Sequence, residues 1–339
     1  MKTGDRALWV ILGGILTVGL TAGFPTASAD RTEHLSGYAE WRKGADIIVD
    51  GQRLRADAQT VWKGKFNAFT AVPLGYEVRA DAERERDGTM LARVIDVRPN
   101  GPALFESDVQ QGTDALEGLW LHGGQAFEGD ASGRKLVIGE VQKEGREVER
   151  VRRLVRRVAP PYVDQSKLRV YVIDNKEWNA MAMGNGAIWV FRGIMNDMTD
   201  NELAIVVGHE LTHYTHEHSR RQMKKAVWAQ AGSLAAILAA EAIDSRGAQL
   251  ATQLGASLGF TAWMNGYGRD LEDQADRVGL RYAYEGGFDV ANAPAVWQRV
   301  LDKYGESDRF TTFFFSDHSR ASSRRKNLEI ELRNNYARR

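Results

Sequence analysis

The sequence has no cysteine among its 339 residues and no excess of charge of either sign. The first absence excludes disulfide bonds and a lipid anchor on an N-terminal Cys. The second, 45 basic against 45 acidic residues, leaves no overall field that would attract nucleic acid. Charged residues make up 27% and hydrophobic residues 43%, which is typical of soluble globular proteins. We therefore expect one large or two modest folded domains and no nucleic-acid partner.

The first thirty residues depart from this soluble composition. Lys2 and Arg6 precede an apolar run over residues 7–24, and the triplet Ala-Ser-Ala follows at residues 27–29. This order predicts a signal peptide over residues 1–29 and an exported mature chain. The alternative is an uncleaved membrane anchor, because the apolar run is nearly long enough to span a bilayer.

Residues 30–102 alternate short apolar runs with turn signals. Asp50-Gly51 and Asp87-Gly88 each separate two such runs, and Asp-Gly in that position is a hairpin signature. We therefore predict a small N-terminal antiparallel β domain that forms a partly closed barrel. Residues 103–146 are rich in Gly and weakly patterned, and we predict a connector there with some strands.

Residues 147–339 are dominated by helical periodicity, so the predicted fold class is α+β with a mainly helical second domain. Within this region, residues 226–260 form an Ala-rich hairpin that we expect to be buried or in peripheral contact with a membrane. The other predicted elements are a helix over 147–158, a strand over 168–173, a strand or hairpin over 179–191, a helix from Thr199 or Asp200 to about Lys225, and helices over 268–284, 292–304 and 322–336.

The pattern His209-Glu210-Leu211-Thr212-His213 lies inside the strongest helical periodicity of the chain. Residues four apart share one face of a helix, so His209 and His213 can bind one metal ion while Glu210 faces the open coordination position. A catalytic zinc site has three protein ligands and a water. The pattern therefore predicts one Zn²⁺ per chain and a third ligand elsewhere.

Two places in the sequence offer that third ligand. His216 and His218 are nearest, but we expect them at the solvated end of the helix. Glu272 is the better candidate, because Asp276 lies four residues further on and shares its helical face. Glu272 can then bind zinc while Asp276 accepts the second ring N–H of a ligand histidine and fixes its tautomer.

These patterns together resemble the HtpX and CaaX-prenyl-protease family of gluzincin metallopeptidases, particularly its soluble periplasmic bacterial members. The resemblance rests on His-Glu-x-x-His at residues 209–213 and Arg-x-x-Glu-x-x-Ala-Asp at residues 269–276. Two segments support it: residues 179–190 resemble the strand beside the catalytic cleft, and Asp317-His318-Ser319 with Arg324 resembles the C-terminal signature. Ser319 stands where the family has Pro.

The resemblance implies a zinc endopeptidase that acts on exported or misfolded proteins. Glu210 would be the general base and His318 would donate to the oxyanion, with Arg324 as a second donor or a structural ion-pair partner. Protein or peptide substrates would bind as an added strand along residues 179–190. The residues expected to contact substrate there are Asn179, Ala180, Gly186 and Ala187.

A second function stays open on the sequence alone. The zinc domain could serve mainly as a latent or chaperone-like module that binds envelope proteins, and the unassigned β domain is compatible with that role. Retention of both histidines with Glu210 favours the protease, since a structural zinc site closes its fourth position with another residue.

Overall fold

The structure is a computed structural model, and it describes residues 32–98, 114, 117–118, 121–129, 135–219, 221, 267–305 and 321–336. The predicted signal peptide, the Ala-rich hairpin at residues 226–260 and His318 lie outside the described residues. Within the described part of the chain, no helix is both long and apolar enough to cross a membrane.

The first sheet is formed by β1 to β6 and closes on itself. The strand order is β3-β2-β1-β5-β6-β4, and β3 also pairs with β6. The pairings of β3 and β4 with β6 are parallel, and the other four are antiparallel. The strands are β1 (Thr32–Lys43), β2 (Asp46–Val49), β3 (Gln52–Arg55), β4 (Val61–Lys63), β5 (Glu77–Arg84) and β6 (Met90–Arg98).

Both Asp-Gly pairs lie in turns between antiparallel strands. Asp50-Gly51 joins β2 to β3, and both residues have positive φ, 45° and 76°. Such a turn follows the twist of the flanking strands. The second pair lies between β5 and β6, where Gly88 has a φ of 84°. Inside this sheet lies a separate apolar cluster that includes Leu35, Ile47, Leu54, Val78 and Ile95.

The second sheet joins the predicted connector to the region predicted as mainly helical. Its order is β11-β12-β10-β9-β8-β7, with β10 and β12 parallel. The connector strand β9 pairs with β10, so the two regions share one sheet. The chain therefore has an α+β fold in which the second region also contributes strands. The strands are β7 (Leu121–His122), β8 (Gln125–Gly129), β9 (Lys135–Gln142), β10 (Arg169–Ile173), β11 (Ala180–Ala182) and β12 (Ala187–Phe191).

The described residues form six helices, and side chains from several of them pack against the second sheet. Helix α1 buries Val148, Val151, Leu154, Val155 and Val158, the apolar positions of its predicted periodicity. These side chains share a cluster with residues of α3, α4, α5 and the sheet. The helices are α1 (Arg146–Val158), α2 (Arg192–Asp197), α3 (Asp200–Thr215), α4 (Arg269–Glu285), α5 (Ala293–Tyr304) and α6 (Ala321–Glu331), the last followed by a π-helical turn at Leu332–Tyr336.

Helix α3 begins as predicted and ends earlier than predicted. Thr199 caps it through a reciprocal capping box with Glu202, which satisfies backbone N–H groups of the first turn. The helix ends at Thr215 rather than near Lys225, because Glu217 has a φ of 52°, which interrupts an α-helix. Residues 218, 219 and 221 are helical again after this break.

Candidate metal centre

Helices α3 and α4 bring His209, His213 and Glu272 together. The Nε2 atoms of the two histidines lie 3.0 Å apart. Carboxylate oxygens of Glu272 lie 3.4 Å from His209 Nε2 and 3.5 Å from His213 Nε2. All three side chains are buried, and one ligand atom from each lies within 4.8 Å of the others. Two helices therefore present two imidazole nitrogens and one carboxylate to a common point.

This donor set fits a single Zn²⁺ ion. Zinc binds imidazole nitrogen and carboxylate oxygen at about 2.0–2.1 Å in tetrahedral geometry, which separates neighbouring ligand atoms by about 3.3 Å. The spacings of 3.0, 3.4 and 3.5 Å lie around that value. Three protein ligands also leave a fourth position for water.

Asp276 lies behind His209, on the side away from the other two ligands. Its Oδ1 is 3.0 Å from His209 Nδ1. This is the contact with a ligand histidine that the sequence predicts for Asp276. Burial raises the pKa of Asp276, but the charge and hydrogen bonds of Arg324 outweigh it and lower that pKa. With zinc bound at Nε2, the ionised carboxylate would accept the Nδ1 proton and orient the ring. Arg324 Nη2 also lies 2.8 Å from this nitrogen.

Arg324 of α6 is fully buried beside these carboxylates. Its Nε and Nη2 donate to the two oxygens of Asp276, at 2.9 and 2.5 Å, and its Nη1 lies 3.3 Å from Glu272 Oε2. The guanidinium packs 3.4 Å from the ring centroid of Trp297. Arg324 thus holds two acidic residues of α4 in place, which is the ion-pair role that the sequence leaves open.

The carboxylates also favour positive charge at His209. Burial and the nearby Arg324 lower the pKa of His209, but the hydrogen bonds to Asp276 and Glu272 have the larger effect. They raise the pKa of His209 above its ordinary value, to about 9. A metal cation would supply positive charge at the same place.

Glu210 lies next to β11. The residue is 7% exposed, and its Oε2 accepts a hydrogen bond from the Ala182 N–H at 3.2 Å. The residue that the sequence predicts as general base is therefore adjacent to the strand that it predicts to contact substrate.

The predicted substrate residues divide into two groups. Asn179 O accepts from Phe191 N and Met183 N donates to Ala187 O, so these backbone groups face β12. Because backbone groups alternate in direction along an antiparallel strand, those of Ala180 face the other way. Among the described strands, β11 is the last of its sheet, which makes this its open edge.

Gly186 and Ala187 do not lie at that edge. Gly186 is in the turn before β12, where its backbone oxygen accepts from Arg169 N. Ala187 belongs to β12, which has β11 on one side and β10 on the other.

His216 and His218 are fully buried, so the prediction of a solvated position is wrong. The early end of α3 turns His218 inward, and its Nδ1 lies 2.9 Å from Nδ1 of His213. Tyr267 stacks on the His213 ring with centroids 4.0 Å apart. Neither contact is predicted from the sequence, since a helix continued past Thr215 would carry His218 away from His213.

Comparison with known proteins finds one family and several relatives. Residues 145–331, more than half of the chain, match the profile of peptidase family M48. Mitochondrial metalloendopeptidase OMA1 of Bos taurus is 29% identical over 143 residues, which are 41% of this chain and 27% of that protein. The beta-barrel assembly-enhancing protease of Escherichia coli K12 is 32% identical over 145 residues, which are 41% of this chain and 29% of that protein.

A third relative matches over a larger share of its length. Metalloprotease LoiP of Escherichia coli K12 is 30% identical over 157 residues, which are 46% of this chain and 60% of that protein. The matches thus span less than a third of the first two relatives and about three fifths of this one.

Proposed function

The chain belongs to peptidase family M48, and from that premise we propose that it is a zinc-dependent endopeptidase. His209, His213 and Glu272 would hold the metal, and Glu210 would act as the general base. One observation carries the proposal: two imidazole Nε2 atoms and a carboxylate from two helices converge at spacings of 3.0 to 3.5 Å, beside a further buried carboxylate on Glu210.

Bound zinc would polarise the scissile carbonyl and lower the pKa of water. Glu210 takes the proton of the attacking water, whose oxygen adds to the carbonyl carbon. When the C–N bond breaks, Glu210 passes that proton to the leaving amine. The hydrogen bond from the Ala182 N–H keeps the Glu210 carboxylate beside β11, where the peptide would lie.

We propose that substrate binds as an added strand along β11. The outward backbone groups of Ala180 would pair with the peptide, and its small side chain would let the two backbones approach. Main-chain pairing depends little on side-chain identity, so cleavage would tolerate many sequences. Asn179 would support this edge from within, through its bond to Phe191.

His318 remains our candidate for the donor to the oxyanion. Arg324 is the second candidate for this donor, but its hydrogen bonds to Asp276 favour the role of a positioning ion-pair partner.

We propose exported or misfolded proteins as substrates and an exported, periplasmic location. The predicted signal peptide supports this, as does similarity to a protease named for β-barrel assembly. Fractionation of cells that produce the full chain tests the location, and recovery in the cytoplasm would contradict it.

The activity is tested with the purified full chain and an unfolded protein substrate, with and without a chelator. Bound zinc is quantified in parallel for wild type, Glu210→Gln and His213→Ala. We expect chelator-sensitive cleavage by wild type, bound zinc without cleavage for Glu210→Gln, and loss of both for His213→Ala. General-base removal should slow cleavage by about 10²- to 10⁴-fold.

Other outcomes would overturn the proposal. Cleavage by Glu210→Gln at the wild-type rate would contradict the assigned base. Zinc bound by wild type without any cleavage, together with chelator-insensitive suppression of aggregation, would favour the latent or chaperone-like module.

A further inference from the structure

A chain of hydrogen bonds leads from His213 into the first sheet. His213 Nδ1 lies 2.9 Å from His218 Nδ1, and His218 Nε2 lies 2.9 Å from Gln274 Oε1. The other end of the Gln274 amide donates to Glu40 Oε1 at 2.7 Å and to Asp50 Oδ1. Gln274 and Glu40, 234 positions apart in sequence, are thus in direct contact, and His218 and Gln274 link His213 to the first sheet.

The surroundings of Gln274 determine the orientation of its amide. Burial raises the pKa of Glu40, but Arg277 Nη2 donates to its Oε1 and Gly51 N donates to its Oε2. Asp50 likewise accepts from Tyr38 N and from Arg221. The oxygens of both side chains thus serve as acceptors, so the amide NH₂ faces them. Arg221 Nη1 can only donate, and it lies 2.6 Å from Gln274 Oε1. Both amide hydrogens and both oxygen lone pairs therefore have partners. If the Gln274 amide were flipped, its oxygen would face the acceptors Glu40 and Asp50 and its NH₂ would face the donor Arg221.

The amide orientation in turn determines the proton positions on both histidines. Since Gln274 Oε1 accepts, His218 must carry its proton on Nε2, which leaves a lone pair on Nδ1. The proton between the two Nδ1 atoms then belongs to His213. A neutral His213 protonated at Nδ1 has its lone pair on Nε2, the atom that faces His209 and Glu272.

We infer that Glu40, Asp50, Gln274 and His218 are positioning residues that fix the zinc-binding tautomer of His213. The inference rests on the proposed zinc site and extends the set of residues that support it from α4, through Gln274, into the first sheet. His209 has Asp276 for this purpose, whereas the corresponding carboxylates for His213 come from the first sheet and act through two neutral side chains.

Backbone N–H groups of the first sheet donate to both carboxylates. Glu40 on β1 is 1% exposed, and its Oε2 accepts from Gly51 N at 3.1 Å. Asp50 Oδ1 accepts from Tyr38 N at 3.1 Å. Both contacts depend on the Asp50-Gly51 turn, so the hairpin that closes β2 on β3 also positions the acceptors for Gln274. This gives the first sheet a function in the metal site.

The direct test compares His218→Asn with His218→Leu in the full chain. The two side chains have nearly the same size, but only Asn keeps an acceptor near the position of Nδ1. Zinc affinity is measured by competition with a chelator. We expect His218→Leu to weaken zinc binding by about ten- to hundredfold, the usual effect of losing the partner of a ligand histidine, and His218→Asn to retain most of the affinity.

The remote test uses Glu40→Gln, with Glu33→Gln as a matched control on the same strand. Glu33 is partly exposed and pairs with Arg84, so its loss should leave zinc affinity unchanged. Glu40→Gln should weaken zinc binding several-fold, because Gln274 loses one of the acceptors that orient it. In the His218→Asn background the same change should have no further effect, since the path to His213 is already interrupted.

A spectroscopic measurement separates tautomer control from general packing. In chelator-treated full chain, ¹⁵N spectra of the histidine rings should show His213 protonated at Nδ1 in wild type and shifted toward Nε2 in His218→Leu. Equal zinc affinity in the Leu and Asn variants, or an unchanged His213 tautomer in both His218→Leu and Glu40→Gln, would overturn the inference. Absence of zinc binding by wild type would instead overturn the proposed function.

Discussion

Gly208 of α3 and Gly279 of α4 face each other in direct backbone contact. A Cβ on Gly208 would lie 2.3 Å from the carbonyl oxygen of Gly279, and a Cβ on Gly279 would lie 2.4 Å from the backbone nitrogen of His209. These distances are far below van der Waals contact. The two helices that carry the three candidate ligands therefore meet closely at the level of His209, and the spacing of the metal centre depends on it.

We expect Gly279→Ala to destabilise the protein and weaken zinc binding together. Its methyl group must push α3 and α4 apart, and overpacking of this kind costs about 1–3 kcal/mol. Chemical denaturation and chelator competition measure the two effects. Glu285→Ala on the same helix is the control, because it removes only a surface ion pair with Arg281, worth about 0.5 kcal/mol or less. Wild-type zinc affinity in Gly279→Ala would contradict the dependence of the site on this contact.

Local patterns in the sequence predict the part of the site that lies on single helices. The spacing of His209 and His213 on α3, and of Glu272 and Asp276 on α4, corresponds to shared helical faces that the structure shows. The Thr199 cap is likewise a local signal.

The rest of the site depends on tertiary contacts that no local pattern encodes. His218 reaches His213 because α3 ends at Thr215 and Glu217 adopts a positive φ, which a non-glycine residue rarely does. Its partner Gln274 and the acceptor Glu40 come from distant elements. A glycine inside each helix, at 208 and 279, was the one available signal of close helix packing.

Asp276→Ala should weaken zinc affinity by about ten- to hundredfold. The substitution removes the acceptor for His209 Nδ1 and leaves Arg324 with one carboxylate fewer. Asp273→Ala is the matched control on the same helix, since Asp273 contacts Asn327 at the surface. If both variants bind zinc as wild type does, Asp276 does not orient a ligand.

His216 should make the protein less stable in acid. Burial, together with Arg221 and Arg277, lowers the pKa of His216 to about 3. An unfolded chain takes up a proton at this residue below pH about 6.5, whereas the folded protein does not until about pH 3. The free energy of unfolding should therefore fall with decreasing pH across that window, by up to about 1.4 kcal/mol per pH unit from this group.

The contribution of His216 is isolated by comparison with His216→Gln. Both proteins are unfolded by denaturant at pH 7 and pH 5 in the presence of a chelator, so that metal binding does not enter. The stability of wild type relative to the variant should decrease at the lower pH. A constant difference would mean that His216 titrates alike in the folded and unfolded chains.

Arg324→Lys distinguishes the two roles that the sequence leaves open for Arg324. As a positioning residue, Arg324 binds both oxygens of Asp276 and packs on Trp297, and a lysine ammonium cannot reproduce that planar bidentate contact. We then expect weaker zinc binding and lower stability, with a kcat close to wild type once zinc is saturating. As a donor to the oxyanion, its loss would instead lower kcat by about 10²- to 10³-fold at unchanged zinc affinity. Arg325→Lys, at a partly exposed neighbouring position, is the control and should change neither zinc affinity nor kcat. Whether Arg324→Lys loses zinc affinity or kcat therefore decides between the two roles.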